Sequence, residues 1–212
     1  MVIAIDGPAG AGKSSVARAL AERLGFTYLD SGAMYRCVAL ACLDRGVDPD
    51  DPVATGEVAA SIEIDPGPGP VLLDGRDVST EIRTEQVTEA ASRISVHPAV
   101  REVMVGAQRD LIESGRYVAE GRDIGTVVSP DSPLKVFLTA SPEVRAARRA
   151  REAGAEEEAV KASIELRDLR DSSRDHGRLE VASDAVEVDT SDLGIDAVVE
   201  RIADLAAERG IA

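Results

Sequence analysis

The sequence predicts an α/β domain in which a five-stranded parallel sheet is covered by helices on both faces. Three observations carry that expectation. Short aliphatic runs alternate with longer Ala- and Leu-rich stretches of helical period, the pattern of successive β–α units. The run Gly7-Pro8-Ala9-Gly10-Ala11-Gly12-Lys13-Ser14 sits between the first such strand and the first such helix, and G-x-x-x-x-G-K-S in that setting is a phosphate-binding loop. A chain of 212 residues, 44% hydrophobic and 30% charged, can bury one α/β core with an appended insert and is short for two full domains.

The expected elements follow in order. Val2–Asp6 is an apolar strand feeding the glycine-rich loop, and Lys13–Leu24 is the helix after it. Thr27–Asp30 is the second strand and Gly32–Arg45 the second helix. Asp48-Pro49-Asp50-Asp51-Pro52 is a cluster of turn formers. Glu63–Asp65 and Val71–Asp74 flank Pro66-Gly67-Pro68-Gly69-Pro70 and predict a small β-hairpin, an excursion that marks an inserted subdomain. Helices are expected at Thr84–Val96 and Ala99–Ser114, then strands at Arg116–Glu120 and Leu134–Leu138. Helices Pro142–Ala153 and Glu156–Arg174, strand Val186–Asp189 and helix Ile195–Arg209 complete the chain. A sheet of this kind binds ligands outside the carboxyl ends of its strands.

Composition narrows the partners. A net charge of −15 without a basic tail is repelled by nucleic-acid phosphates. No run approaches the roughly 20 apolar residues that span a bilayer, and no basic leader precedes the first strand, so a cytoplasmic protein away from membranes is expected. Aromatics make up 2% and Trp is absent, which requires an aliphatic core. Cys37 and Cys42 lie five apart in an apolar stretch without a metal-ligating partner, and are expected as buried free thiols. His97, before Pro98, and His176, beside Gly177, lack the flanks of a catalytic base.

In the loop, glycines permit positive φ and let backbone N–H groups close around phosphate oxygens, while the following helix directs its positive end at the same anion. Lys13 reaches the β- and γ-phosphates and the Ser14 hydroxyl completes a Mg²⁺ shell. A nucleoside-triphosphate site is therefore expected over Gly7–Ser15. The chain contains no asparagine, which removes the N-K-x-D route to guanine recognition. Arginines instead recur at element ends. Gly121-Arg122-Asp123 follows a strand, and Asp30-Ser31-Gly32-Ala33-Met34-Tyr35-Arg36 joins a strand to a helix start, where anions bind. Arg145, Arg148 and Arg149 are spaced to share one helix face, as are Arg167, Arg170, Asp171 and Arg174. Mobile arginine-bearing segments of this sort exclude water and neutralise a transferring phosphoryl group. The residues alone leave open a kinase of another small acceptor, such as UMP, AMP or a metabolite hydroxyl, or a nucleotide-gated binding module.

Gly7–Ser15, Asp30–Arg36, Gly121-Arg122-Asp123-Ile124-Gly125-Thr126-Val127-Val128 and Arg167-Asp168-Leu169-Arg170-Asp171-Ser172-Ser173-Arg174 together resemble the bacterial cytidylate kinases. The likeness extends through Asp77-Val78-Ser79-Thr80-Glu81-Ile82-Arg83 to Asp189-Thr190-Ser191, nearly the whole chain. It implies a nucleoside-monophosphate kinase fold within one domain, with a monophosphate-binding insert near 48–96 and a helical lid near 145–166. It implies Mg²⁺-assisted phosphoryl transfer from ATP to CMP or dCMP by a monomer. Ser31, Ser92, Arg101 and Asp123 resemble the residues that read cytosine. Arg36, Arg122 and Arg174 resemble those that hold the acceptor phosphate, and Arg167 and Asp171 the pair near its ribose and phosphate. Lys13, Arg122, Arg145, Arg148 and Arg167 form the implied catalytic set. Adenine is expected near Thr190–Leu193. Two positions depart from the family pattern: Glu120 stands where many relatives have Asp, leaving an indirect Mg²⁺ role open there, and Asp175-His176-Gly177-Arg178-Leu179 replaces a stretch leading to Pro-Leu.

Overall fold

A computed structural model describes every residue except Pro68, Ala155, Asp175 and Ala212, with Glu152 and Ala153 described by backbone only. One residue of the proline-rich turn, one of the 145–166 segment and one of the 175–179 loop thus lie outside the described residues. The chain forms two compact units, Met1–Tyr28 with Gly115–Ala212, and Leu29–Ser114.

The first unit is built on strands β1 (Val2–Asp6), β6 (Tyr117–Gly121), β7 (Leu134–Thr139) and β8 (Val186–Asp189), with β2 (Thr27–Asp30) contributing its first two residues. The sheet order is β2-β6-β1-β7-β8. Strand β1 runs parallel to β6 and β7, with Asp6 level with Gly121 on one side and Phe137 on the other. The carboxyl ends of the three central strands therefore line up, and each opens into a loop at the same edge. All five residues of β1 are buried, as a strand covered on both faces requires.

Helices α1 (Lys13–Leu24) and α8 (Ile195–Glu208) cover this sheet, while α6 (Pro142–Ala153) packs with α7 (Glu157–Ser172). Ile3, Ile5, Val118, Leu134, Val136 and Leu138 meet Val16, Ala17, Leu20, Val199, Ile202 and Ala206 in one aliphatic core. Burying each of the larger side chains stabilises the fold by about 1.5–3 kcal/mol relative to leaving it in water. Two of the five aromatics lie beneath arginines: Arg18 is 4.5 Å above Tyr28 and Arg116 is 4.2 Å above Phe26.

The second unit packs α2 (Ser31–Asp44) against α4 (Glu85–Ile94), and α3 (Pro52–Ser61) against α5 (Pro98–Glu113). Gly56 lets α3 approach α5 closely, because a Cβ there would stand 2.7 Å from Ala99 Cβ. Cys37 and Cys42 are buried free thiols, and burial pushes them up to about 12 and about 11. His97 is structural, its Nε2 pairing with Pro49 O at 2.8 Å.

The five strands of the large sheet and the seven expected helices are present, with ends shifted by up to two residues. Helix α3 is additional: the turn cluster is also a helix start, with Asp51 accepting from Val53 and Ala54 N–H and Pro52 in the first turn. The expected hairpin is present as antiparallel β3 (Ile64–Asp65) and β4 (Leu72–Leu73), and a third strand, β5 (Arg76–Asp77), extends it. Asp74 and Gly75, at φ 50° and 79°, make the two-residue turn that adds the last strand. A 3-10 turn at Glu81–Arg83 and a π-helical turn at Ile124–Val128 were also outside the expected set. No helix among the described residues is long and apolar enough to cross a membrane.

Candidate active site

The phosphate loop leaves β1 through Gly7, whose φ of 149° and nearness to β7 exclude a side chain. A Cβ there would stand 2.1 Å from Leu138 O. Gly12, at φ 88°, caps α1 without a side-chain hydrogen bond, so the first-turn amides keep their donors for an anion. Lys13 is buried and its Nζ donates to Pro8 O at 2.8 Å. Burial, then the positive charge of Arg122, lowers Lys13 to about 7 against the opposing pull of Glu120. Ser14 is exposed in the first turn of α1.

Asp6, at the carboxyl end of β1, reaches into the loop after β6. Its two oxygens accept from Ile124 N at 2.9 Å and Gly125 N at 2.8 Å. Burial raises its carboxyl to about 6, with the neighbouring Asp123 charge adding to the rise against the lowering by those two amides. Asp6 thereby fixes the backbone that carries Arg122 and the buried Asp123. Glu120, also buried, accepts from Tyr28 OH at 2.6 Å.

An arginine cluster lies in the same unit. Arg122 Nε donates to Asp171 Oδ2 at 2.8 Å, and Arg174 pairs with Asp171 Oδ1. Burial disfavours both charges, yet Asp171 holds Arg122 above its ordinary value, and Arg122, Arg174 and Arg167 hold Asp171 below the carboxylate range. One carboxylate thus keeps mutually repelling guanidinium groups together. Arg174 lies just past the end of α7, and its pairing with Asp171 three residues earlier keeps the i, i+3 spacing of a helix face.

The arginines of α6 lie against the phosphate loop. A Cβ on Gly10 would come within 2.8 Å of Arg145 O, and Arg145 Nη1 donates to Ala9 O at 3.1 Å. Arg148 donates to Thr190 Oγ1 at 2.9 Å and Thr190 O at 2.6 Å, while Thr190 Oγ1 reaches Ala11 O at 3.2 Å. Further along the same helix, Arg149 is half-buried and Arg151 is exposed.

In the second unit Ser31, Ser92 and Arg101 are buried. Arg36 pairs with Asp30 at 2.9 Å, and Asp30 also caps α2 by accepting from Ala33 N–H. Arg101 Nη1 approaches Tyr35 OH at 3.4 Å. Sequence reasoning gave no role to Asp6, Asp168 or Tyr35. A carboxylate inside an apolar strand, as Asp6 is, was the one available signal, since buried acids need partners.

The cytidylate kinase family profile matches residues 3–208. A cytidylate kinase of Rhodococcus opacus (strain B4) is 51% identical over 99% of this chain and 96% of its own length. One from Mycobacterium leprae (strain Br4923) is 49% identical over 99% and 96%. Among solved structures, a gluconokinase from Sinorhizobium meliloti 1021 superposes with a TM-score of 0.51 at 17% identity, covering 98% of this chain and 94% of that one, a likeness of fold alone. With the phosphate loop, the parallel sheet and a full-length match in hand, the chain belongs to the cytidylate kinase family.

Proposed function

We propose that this chain transfers the γ-phosphoryl group of ATP to the phosphate of CMP or dCMP, giving CDP or dCDP and ADP. Membership of the family makes it an ATP-dependent nucleoside-monophosphate kinase. The observation that carries the acceptor side is the Arg122–Asp171–Arg174 cluster in the same unit as the phosphate loop. Two guanidinium groups held by one buried carboxylate suit a dianionic phosphate.

In this reading Gly7–Ser15 wrap the donor phosphates, and Lys13 regains its full charge between the β- and γ-phosphates. A Mg²⁺ ion suits the site: Ser14 offers an exposed hydroxyl in the first turn of α1, next to Lys13. Such a site takes a cation that keeps its waters and arrives with phosphate oxygens. When bound, that ion neutralises charge on the β- and γ-oxygens. An acceptor phosphate oxygen attacks the γ-phosphorus in line, the bond from phosphorus to the β–γ bridging oxygen breaks, and ADP leaves with that electron pair. The attacking oxygen is already ionised near neutral pH, so no general base is needed. Arg122, Arg145, Arg148 and Arg167 spread positive charge over the transferring group.

Asp123 suits the cytosine N4 amino group and disfavours the O4 of uracil. Ser31, Ser92 and Arg101 are proposed partners of the remaining base edge, Arg36 of the acceptor phosphate, and Arg167 and Asp171 of ribose and phosphate. The insert near 48–96 would serve acceptor binding and the 145–166 segment would act as the lid. A monomer working in the cytoplasm is part of the same reading. The test is ADP formation from Mg·ATP with CMP, dCMP, UMP and AMP in parallel. Strong stimulation by CMP and dCMP is expected, and no stimulation by CMP over ATP alone would end the proposal.

A further inference from the structure

The carboxylate of Asp168, within α7, rests on donors from the phosphate loop and from α6. Its Oδ1 accepts the Ala9 backbone N–H at 3.2 Å, and its Oδ2 pairs with Arg145. Arg145 closes the triangle by donating to Ala9 O. The neighbouring Pro8 O accepts from Lys13 Nζ, so this amide lies beside the lysine that reaches the β- and γ-phosphates. The buried Nε of Arg145 has no hydrogen-bond partner among the described residues, so the guanidinium keeps a donor that Asp168 does not use. A plain anchoring ion pair would engage Arg145 alone. Here a loop amide and an arginine converge on one carboxylate, the same donor pairing that binds phosphate.

We propose that Asp168 is a built-in phosphate surrogate that sets nucleotide discrimination at the donor site: it occupies the terminal-phosphate position on Ala9 N–H and Arg145, and a nucleotide with a third phosphate must displace it. The proposal rests on the ATP-donor reading above. ATP exchanges the carboxylate for its γ-phosphate, whereas ADP leaves Asp168 in place. Asp168 therefore weakens ATP binding selectively, and it returns to the loop once the γ-group has left with the acceptor. Because α7 also carries Arg167 and Asp171, the exchange connects the state of the donor loop to the helix that supports the acceptor-phosphate cluster.

The test uses the full chain. Calorimetric titration of Asp168→Ala with the β,γ-imido analogue of ATP should show binding tighter by roughly tenfold or more, the scale of one charge-assisted hydrogen bond, with ADP affinity changed less than about twofold. Glu165→Gln removes an equal charge from an exposed position of the same helix and should change neither. In ¹H–¹⁵N spectra the Ala9 amide of the free protein should move on substitution of Asp168, and inorganic tripolyphosphate should move it in the wild type. Equal gains for both nucleotides, an equal gain in Glu165→Gln, or an Ala9 amide indifferent to the substitution would overturn the proposal. Wild-type protein that binds no ATP analogue would instead overturn the donor reading, and the proposal with it. Should Asp168→Ala fail to fold, Asp168→Asn, which removes the charge and keeps the size, carries the same expectations.

Discussion

Arg122 and Asp171 are joined by a 2.8 Å hydrogen bond in which the Asp171 side chain is only 2% exposed. The bond ties the loop after β6 to α7 and leaves a guanidinium charge that depends on its partner. Asp171→Ala removes the buried carboxylate that both Arg122 and Arg174 pair with, and stability should fall by about 3 kcal/mol or more. The sign with pH is fixed by the depressed carboxyl. Its contribution is present above the ordinary carboxylate range and is lost as pH falls below it. Urea unfolding of wild type and variant at pH 7 and pH 3 should show the gap between them narrowing in acid.

Lys13 is a second consequence of crowding. With burial lowering Lys13 to about 7, triphosphate binding, which favours the charged amine, should take up protons around pH 7.5. Calorimetry in buffers of different ionisation enthalpy measures that uptake. It should vanish in Lys13→Ala, along with turnover by about two to three orders of magnitude. The unfolded chain binds this proton more tightly than the free folded protein does. The lysine's unfavourable contribution to stability is therefore full below about 7 and is relieved as pH climbs toward the unfolded value of 10.5.

Gly7 is where the fold tolerates no side chain. With Leu138 O 2.1 Å from the place an alanine methyl would take, and φ at 149°, Gly7→Ala should destabilise the protein by about 3 kcal/mol or more. Nucleotide affinity should fall with it, because the loop cannot leave β1 on the same path. A melting temperature within a degree of wild type would contradict that expectation.

Asp123→Ala should erode the preference for CMP over UMP, read as the ratio of kcat/KM values, by about tenfold or more, the scale of one lost base-edge contact. An unchanged ratio would remove Asp123 from base reading.

Asp6→Asn separates charge from geometry. In the same pose the amide sets its oxygen against one of the two N–H groups now held by Asp6 and its own NH2 donor against the other, so the backbone under Arg122 and Asp123 should loosen and kcat/KM for CMP should drop. Stability follows a different rule. The raised carboxyl favours folding fully below about pH 4 and loses that contribution as pH rises through about 6. Relative to wild type, the variant should therefore fare better at pH 8 than at pH 4, as paired thermal melts would show.

The phosphate loop, its strand and its helix were legible because they are local: spacing, glycines and an apolar run determine them within about twenty residues. The same holds for α1 and α6, whose bounds match the sequence reading residue for residue. Helix α3 was hidden by its own start signal, since Asp51-Pro52 reads equally as turn and as cap, and Thr55 and Gly56 are weak helix formers. Strand β5 is two exposed charged residues whose extended state comes only from pairing with β4. Within the site, motif spacing pointed to Arg122, Asp171 and Arg174, but the grip of Asp168 on Ala9 joins positions 159 apart. No local pattern reports such a contact.

The place of β1 at the centre of its sheet has a consequence for biogenesis. Its partners β6 and β7 begin at Tyr117 and Leu134, so a ribosome working at about 5–20 residues per second leaves Val2–Asp6 unpaired for several seconds or more. In that interval Leu29–Ser114 emerges with its own core. The strand that feeds the phosphate loop thus waits for partners made long after it, and the nucleotide site can form only once both have emerged.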